Sequence, residues 1–144
     1  MIKNYLDMIK KIVVDGNDGT GKTYRIKLLE KLFPGVEIKD RGLFSEYTLK
    51  EEYFKGNISK KTKEVITAKL NFKHIVSSHK DTLFIILDAS PETCQRRISE
   101  RGDSLEQEYH NMKDLKKYRK RFKRLVKYCD SLNNVIMINT DKDI

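Results

Sequence analysis

The residues best suited to chemistry form one short stretch, GNDGTGKT at positions 16–23, which has the spacing G-x-x-x-x-G-K-[ST]. Glycines at these positions let the backbone N–H groups turn inward around an anion. The lysine can reach the outer phosphates of a nucleoside triphosphate, and the threonine hydroxyl can bind Mg²⁺. The stretch predicts a loop that binds ATP and Mg²⁺. Its ligand-binding residues are Gly16, Asn17, Gly19, Thr20, Gly21, Lys22 and Thr23.

One residue of this loop does not suit an anion. The carboxylate of Asp18 repels phosphate, so it must face away from the triphosphate. It can accept hydrogen bonds from the hydroxyl groups of a second ligand. Alternatively, it stabilises the turn of the loop or meets a neighbouring lysine. The sequence leaves these readings open.

The elements around the loop fit the same interpretation. A β-branched run, 12–16, predicts a buried strand before the loop, and a helix is predicted after it at 22–33, where Pro34 and Gly35 end it. Further strands are predicted at 36–40, 83–88 and 135–138, and further helices at 43–55, 59–79, 91–101 and 108–129. Strands that alternate with helices indicate a parallel α/β sheet of four strands with helices on both faces.

Composition limits the classes of protein that fit. The 144 residues suffice for one domain, and 38% hydrophobic with 35% charged residues describe a globular chain. No apolar run approaches the roughly 18 residues of a membrane span, and the N-terminus lacks a secretory signal, so we expect a cytoplasmic protein. Cys94 and Cys129 lack metal-ligand spacing, and we expect both to be reduced.

The positive charge is concentrated in one segment. Residues 110–127 hold nine Lys or Arg against one acid, Asp114, in a chain of net charge +9. Such a run favours an anionic partner, whether nucleotide, nucleic acid or membrane surface. It is also typical of a solvated helix face.

Three segments together resemble a known family. They are GNDGTGKT preceded by IVVD, the pair Asp40-Arg41 at a strand end, and LDASPETCQRRISERGDSLEQEY. They resemble the thymidylate kinase and deoxynucleoside kinase branch of the P-loop kinases, and most of all the thymidylate kinase-like proteins, including short ones from phages. The resemblance spans roughly residues 12–125. It implies one P-loop kinase domain over residues 1–144, a three-layer α/β/α sandwich.

The resemblance also implies details of this domain. Residues 1–10 would be a loose extension, and about 102–108 would be a lid that closes over the phosphates. Only 17 residues separate Thr23 from Asp40, so one strand of the family is missing. We therefore expect four parallel strands in the order 2-1-3-4.

The resemblance assigns roles to residues outside the phosphate loop. Arg41 would hold the acceptor phosphate and the transferring phosphoryl group, and Asp40 would position Mg²⁺ through water or orient the arginine. Asp18 would contact the 3′-hydroxyl of the acceptor sugar. Arg97 and Arg101 match the arginines beside the lid.

The two bases of the substrates have weaker candidates. Phe72 and Lys73 are the nearest candidates for gripping the acceptor base, although their spacing matches the family poorly and Phe72 also suits a core position. Asn139 and Asp141 follow the last strand, where such kinases cradle the adenine of ATP.

These assignments predict an ATP-dependent nucleotide kinase that phosphorylates a deoxynucleoside monophosphate, with dTMP giving dTDP as the expected reaction. One alternative is a deoxynucleoside kinase acting on a 5′-hydroxyl, with Asp40 as general base. Another is a kinase of nucleic-acid 5′-ends or an ATP-dependent nucleic-acid-binding protein. We expect a small-molecule nucleotide as partner in preference to nucleic acid, and no membrane partner. The sequence leaves open whether the protein forms a homodimer.

Overall fold

The centre of the fold is a four-stranded parallel sheet. The computed structural model describes residues 8–49, 71–101 and 111–142. The strands are β1 (Lys11–Gly16), β2 (Glu37–Asp40), β3 (Thr82–Asp88) and β4 (Val135–Asn139), in the order β2-β1-β3-β4. All three pairings are parallel. The number of strands and their predicted order are confirmed.

Helices connect these strands. They are α1 (Lys22–Leu32), α2 (Leu43–Thr48), α3 (71–78), α4 (Pro91–Glu100) and α5 (Met112–Tyr128). The Ser90 hydroxyl caps α4 by accepting from the Thr93 N–H, and the Asn111 side chain caps α5 in the same way. The predicted helical residues at 50–70 and the predicted lid at 102–108 lie outside the described residues.

Two apolar layers pack against the two faces of the sheet. On one face, Val13 and Phe84 contact side chains of α2, α3 and α5, including the fully buried Phe44 and Leu125. On the other face, alternate residues of the same strands pack against α1. The strands β1 and β3 are buried on both faces, which is why their sequences are almost continuously apolar.

The first described residues belong to this core. Ile9 is buried in the layer beneath α1, and the Lys10 N–H donates to the Asp81 carbonyl at 2.8 Å. The prediction of a loose extension is therefore wrong for residues 8–10. Residues 1–7 lie outside the described part of the chain.

Both cysteines are buried, one in α4 and one at the end of α5. Burial raises the pKa of the Cys94 thiol to about 11, and it does the same for Cys129. Both thiols therefore stay protonated near neutral pH. No helix of the described segments is long and apolar enough to cross a membrane.

The direction of the strands decides where chemistry can occur. Because all four strands are parallel, Gly16, Asp40, Asp88 and Asn139 end them at one edge of the sheet. Ligands bind outside this carboxyl edge in open α/β sheets. The edge therefore brings together residues that are far apart in the sequence.

Candidate active site

The backbone of the phosphate loop requires its glycines. Gly16, Gly19 and Gly21 have φ angles of 144°, 82° and 86°, a region that side chains strongly disfavour. A Cβ on Gly16 would lie 2.5 Å from the Leu87 carbonyl oxygen, and one on Gly19 would lie 2.5 Å from that of Cys94. The loop is therefore seated directly on the backbones of β3 and α4.

The loop ends at the open N-terminus of α1. Gly21 is the N-cap of α1, and no side chain caps this end. The first N–H groups of a helix have no partner within it, and the helix dipole favours negative charge there. This helix end, together with the glycine turns, fits a phosphate group.

Two side chains of the loop hold its shape. The Asn17 Nδ2 atom donates to the Leu115 carbonyl of α5 at 3.0 Å. The Thr20 hydroxyl donates to the Asn17 carbonyl at 2.6 Å. Both residues were predicted to bind the nucleotide. Both side chains face the protein, and the Thr20 N–H also donates to the Asn17 carbonyl at 3.4 Å, so the contact of these two residues with a nucleotide stays a prediction.

The predicted phosphate-binding lysine folds back over the loop. Lys22 Nζ donates to the Gly16 carbonyl at 3.0 Å and lies 3.7 Å from Asp18 Oδ1. Burial, followed by the positive charge of Arg41, lowers the pKa of Lys22 from its ordinary value of 10.5. A phosphate in the loop would replace part of the hydration that this ammonium group has lost.

A sharp turn after β2 carries Arg41 to the loop. Arg41 has a φ of 67°, rare for a residue with a side chain, and its N–H donates to the Val14 carbonyl of β1 at 2.9 Å. Its Nη2 atom lies 2.7 Å from Asp18 Oδ1. Two residues that are 23 positions apart therefore form an ion pair, with the arginine side chain 55% exposed and the aspartate 13% exposed.

A buried carboxylate that the sequence reasoning missed holds this turn. Asp15 is fully buried, and its Oδ1 atom accepts from the Gly42 N–H at 2.7 Å. The same oxygen accepts from the N–H and hydroxyl of Ser45 in α2, whereas Oδ2 has no hydrogen-bond partner. Its signal in the sequence is the single acid of the otherwise apolar run IVVDG.

A cleft of about 610 Å³ lies beside the loop and gathers most of the predicted catalytic residues. Its lining includes Asp18, Gly19, Gly21, Lys22, Thr23, Asp40, Arg41, Arg97 and Arg101. Thr23 and Asp40 are exposed and offer the oxygen ligands that Mg²⁺ prefers. The described residues contain no group of three or more His, Cys, Asp or Glu that could hold a metal ion. Mg²⁺ would therefore depend on phosphate oxygens for further ligands.

Arg97 borders the cleft and also forms a hydrogen bond with the phosphate loop. Its Nη1 atom donates to the Gly19 carbonyl at 3.1 Å, and its Nη2 atom donates to the Thr140 carbonyl. The Thr140 hydroxyl in turn donates to the Thr20 carbonyl at 2.8 Å. Arg97 therefore ties the phosphate loop to the end of β4. Arg101 is exposed and borders the same cleft.

Asn139 and Asp141, the two residues predicted to lie beside adenine, are found at the end of β4, at the same edge of the sheet. Asp141 Oδ1 accepts from the Ser90 N–H at 2.7 Å, and Asn139 Nδ2 donates to Asp141 Oδ2 at 3.2 Å. The Ser90 N–H is the main reason that the pKa of Asp141 falls from 3.8 to about 2. Asp141 thus stabilises the start of α4, and its contact with adenine stays a prediction.

The predicted base-gripping residues do not reach the site. Phe72 is fully buried and packs against Phe44 and Tyr47, with ring centroids 5.0 and 4.9 Å apart. The charge of Lys73 acts on Cys129, at the end of α5 remote from the loop. Phe72 is a core residue, so the prediction that it binds the acceptor base is wrong. The spacing of apolar residues in α3 does not distinguish these two roles.

Aromatic residues of α5 border a second cavity next to the loop. A smaller cavity of about 70 Å³ lies between α2 and α5, next to the loop. Its lining consists of Gly16, Asn17, Asp18, Arg41, Ser45, Thr48, Leu49, Tyr118 and Phe122. Arg121 supports this wall, because its Nη1 atom donates to the Thr48 carbonyl at 3.0 Å and its guanidinium group lies 6.0 Å from the Tyr118 ring centroid.

Eight of the nine positive charges of α5 fall into two groups. Arg119 makes a two-pronged ion pair with Asp88 at 2.9 and 3.1 Å, and Lys123 lies 3.9 Å from the same carboxylate. The carboxylate of Asp88 is therefore paired with basic residues of α5. The other group lines a depression along the helix, with the accessible side chains of Lys113, Lys116, Lys117, Lys120 and Arg124 on its outer face together with the buried Arg121.

Comparison with known proteins bears on the fold. No protein-family model matches the chain, and no curated protein matches it in sequence. The chain is similar to the structure of deoxyadenosine kinase from M. mycoides with bound dCTP, with a TM-score of 0.54 and 18% identity. The similarity covers 93% of this chain and 92% of that one. At this identity the likeness establishes the fold alone, and it confirms the predicted P-loop kinase fold.

Replacing Gly19 by alanine should damage both the fold and the loop. The added Cβ would meet the Cys94 backbone at a positive φ, so we expect a loss of about 2 kcal/mol or more in the free energy of unfolding. Gly35→Ala is the matched control, since open space surrounds that position, and should change stability by less than about 0.5 kcal/mol. Urea denaturation measures both. Equal midpoints for the two variants would contradict the proposed seating of the loop.

Asp141→Asn should change how stability depends on pH. Because the native state lowers the pKa of Asp141, its stabilising effect is present above pH 3.8 and is lost as the pH falls through about 2. Solvent screening limits this effect to about 1 kcal/mol or less. Urea midpoints of wild type and variant should therefore differ most above pH 4 and converge near pH 2. A difference that is constant over this range would refute the assignment, and Asp130→Asn serves as the control.

Proposed function

We propose that the protein transfers the γ-phosphoryl group of ATP to a deoxynucleoside monophosphate, with dTMP as the first candidate acceptor. The observation that carries the proposal is the position of Asp18 and Arg41. These two residues border both the large cleft beside α1 and the small cavity beneath α5. A donor phosphate in the cleft and an acceptor in the cavity would therefore meet at this ion pair.

Each residue of the pair suits one part of the acceptor. The guanidinium group of Arg41 can bind a phosphate through two parallel hydrogen bonds and stabilise the negative charge of the transferring phosphoryl group. An arriving acceptor phosphate would compete with Asp18 for this group, since the two are now 2.7 Å apart. The released carboxylate could then accept a hydrogen bond from the acceptor sugar, the role that the sequence analysis predicted for it.

The donor side depends on Lys22 and the open end of α1. Lys22 would leave the Gly16 carbonyl for the outer phosphates of ATP, a short movement for a side chain that is already inside the loop. Thr23 and Asp40 would hold Mg²⁺, which when bound neutralises part of the charge on the phosphates. Arg101, at the border of the cleft, would add positive charge from the side of the expected lid.

A deoxynucleoside 5′-hydroxyl is the second candidate acceptor. The structurally similar protein is a deoxyadenosine kinase, and phosphorylation of a hydroxyl group needs a nearby carboxylate as general base. Asp40 borders the cleft and is therefore the carboxylate available for this reaction, since Asp15 is fully buried.

Coupled ADP release with Mg-ATP tests the proposal against its alternatives. The acceptors are dTMP, the other deoxynucleoside monophosphates, thymidine, deoxyadenosine and an oligonucleotide with a 5′-hydroxyl. We expect a monophosphate, dTMP foremost, to give the highest kcat/KM. Stimulation by nucleosides alone would select the second candidate. Stimulation by the oligonucleotide alone would reject both and point to the basic face of α5.

Arg41→Ala tests the residue on which the proposal depends. We expect kcat/KM for the acceptor to fall by about 100-fold or more, because a charged donor to the transferring group is lost. Binding of ATP, measured by calorimetry, should stay nearly unchanged. Arg124→Ala, on the outer face of α5, is the matched control and should retain wild-type turnover of small acceptors. A normal kcat for Arg41→Ala would show that the assignment of Arg41 is mistaken.

A further inference from the structure

A threonine at the small cavity between α2 and α5 has a buried hydroxyl group without a hydrogen-bond partner among the described residues. Thr48, the last residue of α2, is 2% exposed, and its Oγ1 atom is buried without a hydrogen-bond partner. A threonine in a helix ordinarily donates its hydroxyl to a carbonyl one turn earlier, and Thr48 does not. Native proteins satisfy nearly all their buried polar groups, so this hydroxyl requires a partner that the described residues do not supply.

The environment of this hydroxyl indicates what kind of partner is absent. Thr48 lines the cavity of about 70 Å³, which has room for a few water molecules, so a larger ligand has to move its walls apart. The lining includes the apolar side chains of Leu49, Tyr118 and Phe122 and the charged side chains of Asp18 and Arg41. A ligand that suits this lining has a flat, mostly apolar part and an anionic group.

A hydrogen bond to its carbonyl oxygen holds the backbone of Thr48 in place. Its carbonyl accepts from the buried Arg121, whose guanidinium group also lies over Tyr118. This contact joins the end of α2 to the aromatic wall of α5. The backbone of Thr48 is thus held beside the cavity, whose lining offers few polar groups, and in such a lining a single hydrogen bond can discriminate between ligands.

We infer that the Thr48 hydroxyl hydrogen-bonds the edge of the acceptor's base, and that Thr48 is a specificity-determining residue. The inference rests on the proposed function, because it assumes that the acceptor enters the cavity with its phosphate at Arg41. The base then lies against Tyr118 and Phe122, with one polar edge at Thr48. Recognition of the base would then involve α2 and α5, whereas the sequence analysis had predicted it for residues of α3.

The test replaces the hydroxyl by a methyl group of similar shape. Thr48→Val should keep or raise the urea midpoint, since no hydrogen bond of the folded protein is lost. The same substitution should weaken the acceptor, with KM and calorimetric Kd for dTMP rising about 10-fold. Thr48→Ser retains the hydroxyl and should bind dTMP within about 3-fold of wild type. Deoxyribose 5-phosphate, which lacks a base, should bind wild type and Thr48→Val equally.

A matched control separates this effect from the loss of any buried threonine hydroxyl. Thr82→Val, at the start of β3, removes a buried hydroxyl that already donates to Asp81, and should leave KM for dTMP unchanged. A lower urea midpoint for Thr48→Val with unchanged dTMP affinity would overturn the inference, because the hydroxyl would then have a structural partner. Equal weakening of dTMP and deoxyribose 5-phosphate would overturn it as well.

Calorimetry distinguishes failure of this inference from failure of the proposed function. Turnover of dTMP that Thr48→Val leaves unchanged would overturn the inference and keep the function. Binding of dTMP without turnover, weakened about 10-fold by Thr48→Val, would keep the inference and overturn the function. A wild-type protein that binds neither nucleotides nor nucleosides would overturn both.

Discussion

The candidate site depends on one buried carboxylate. Asp15 ends the apolar run of β1 and accepts hydrogen bonds from Gly42 and Ser45, which belong to the turn after β2 and to α2. A buried charge is costly unless it is hydrogen-bonded, so this arrangement strongly favours one geometry of the turn. That geometry gives Arg41 its unusual backbone conformation and directs it to Asp18. The sheet pairing already places Arg41 beside β1, because its N–H donates to the Val14 carbonyl, and the contacts of Asp15 hold the turn that follows.

The phosphate loop is restrained from two sides by different elements. Asn17 ties it to α5, and Arg97 with Thr140 ties it to α4 and β4. The glycines allow it to lie directly against neighbouring backbones. A loop held in this way loses little conformational freedom when an anion binds, which favours affinity. The arginine expected to act mainly from the lid side is therefore also part of the scaffold.

Much of the architecture could be predicted from the sequence, and the reason is local. The strand before GNDGTGKT, the capped start of α4 and the alternation of strands and helices are each determined by nearby residues. The order 2-1-3-4 was implied by the resemblance to a known family together with the short separation of Thr23 and Asp40. The errors concern tertiary contacts. Phe72 has the right residue type for a base-binding position, but its helix turns it into the core.

The contacts around the small cavity could not be predicted from the sequence either. Thr48 and Tyr118 approach each other only because α2 packs against α5, and 69 residues separate them. The pairing of Asp88 with Arg119 has the same origin. The basic run of α5 looked uniform in the sequence, yet folding gives its members different roles.

The position of β2 gives the two halves of the site unequal stiffness. The phosphate loop follows a central strand that is paired on both sides, whereas Arg41 follows an edge strand of four residues with mostly exposed side chains. Local opening of a protein begins at such weakly buried edges, at a lower free energy than opening of the central strands. The phosphate loop is therefore the stiffer half of the site, and the half that carries Arg41 opens at a lower free energy. In the order β2-β1-β3-β4, one half of the site is built on a central strand and the other on an edge strand.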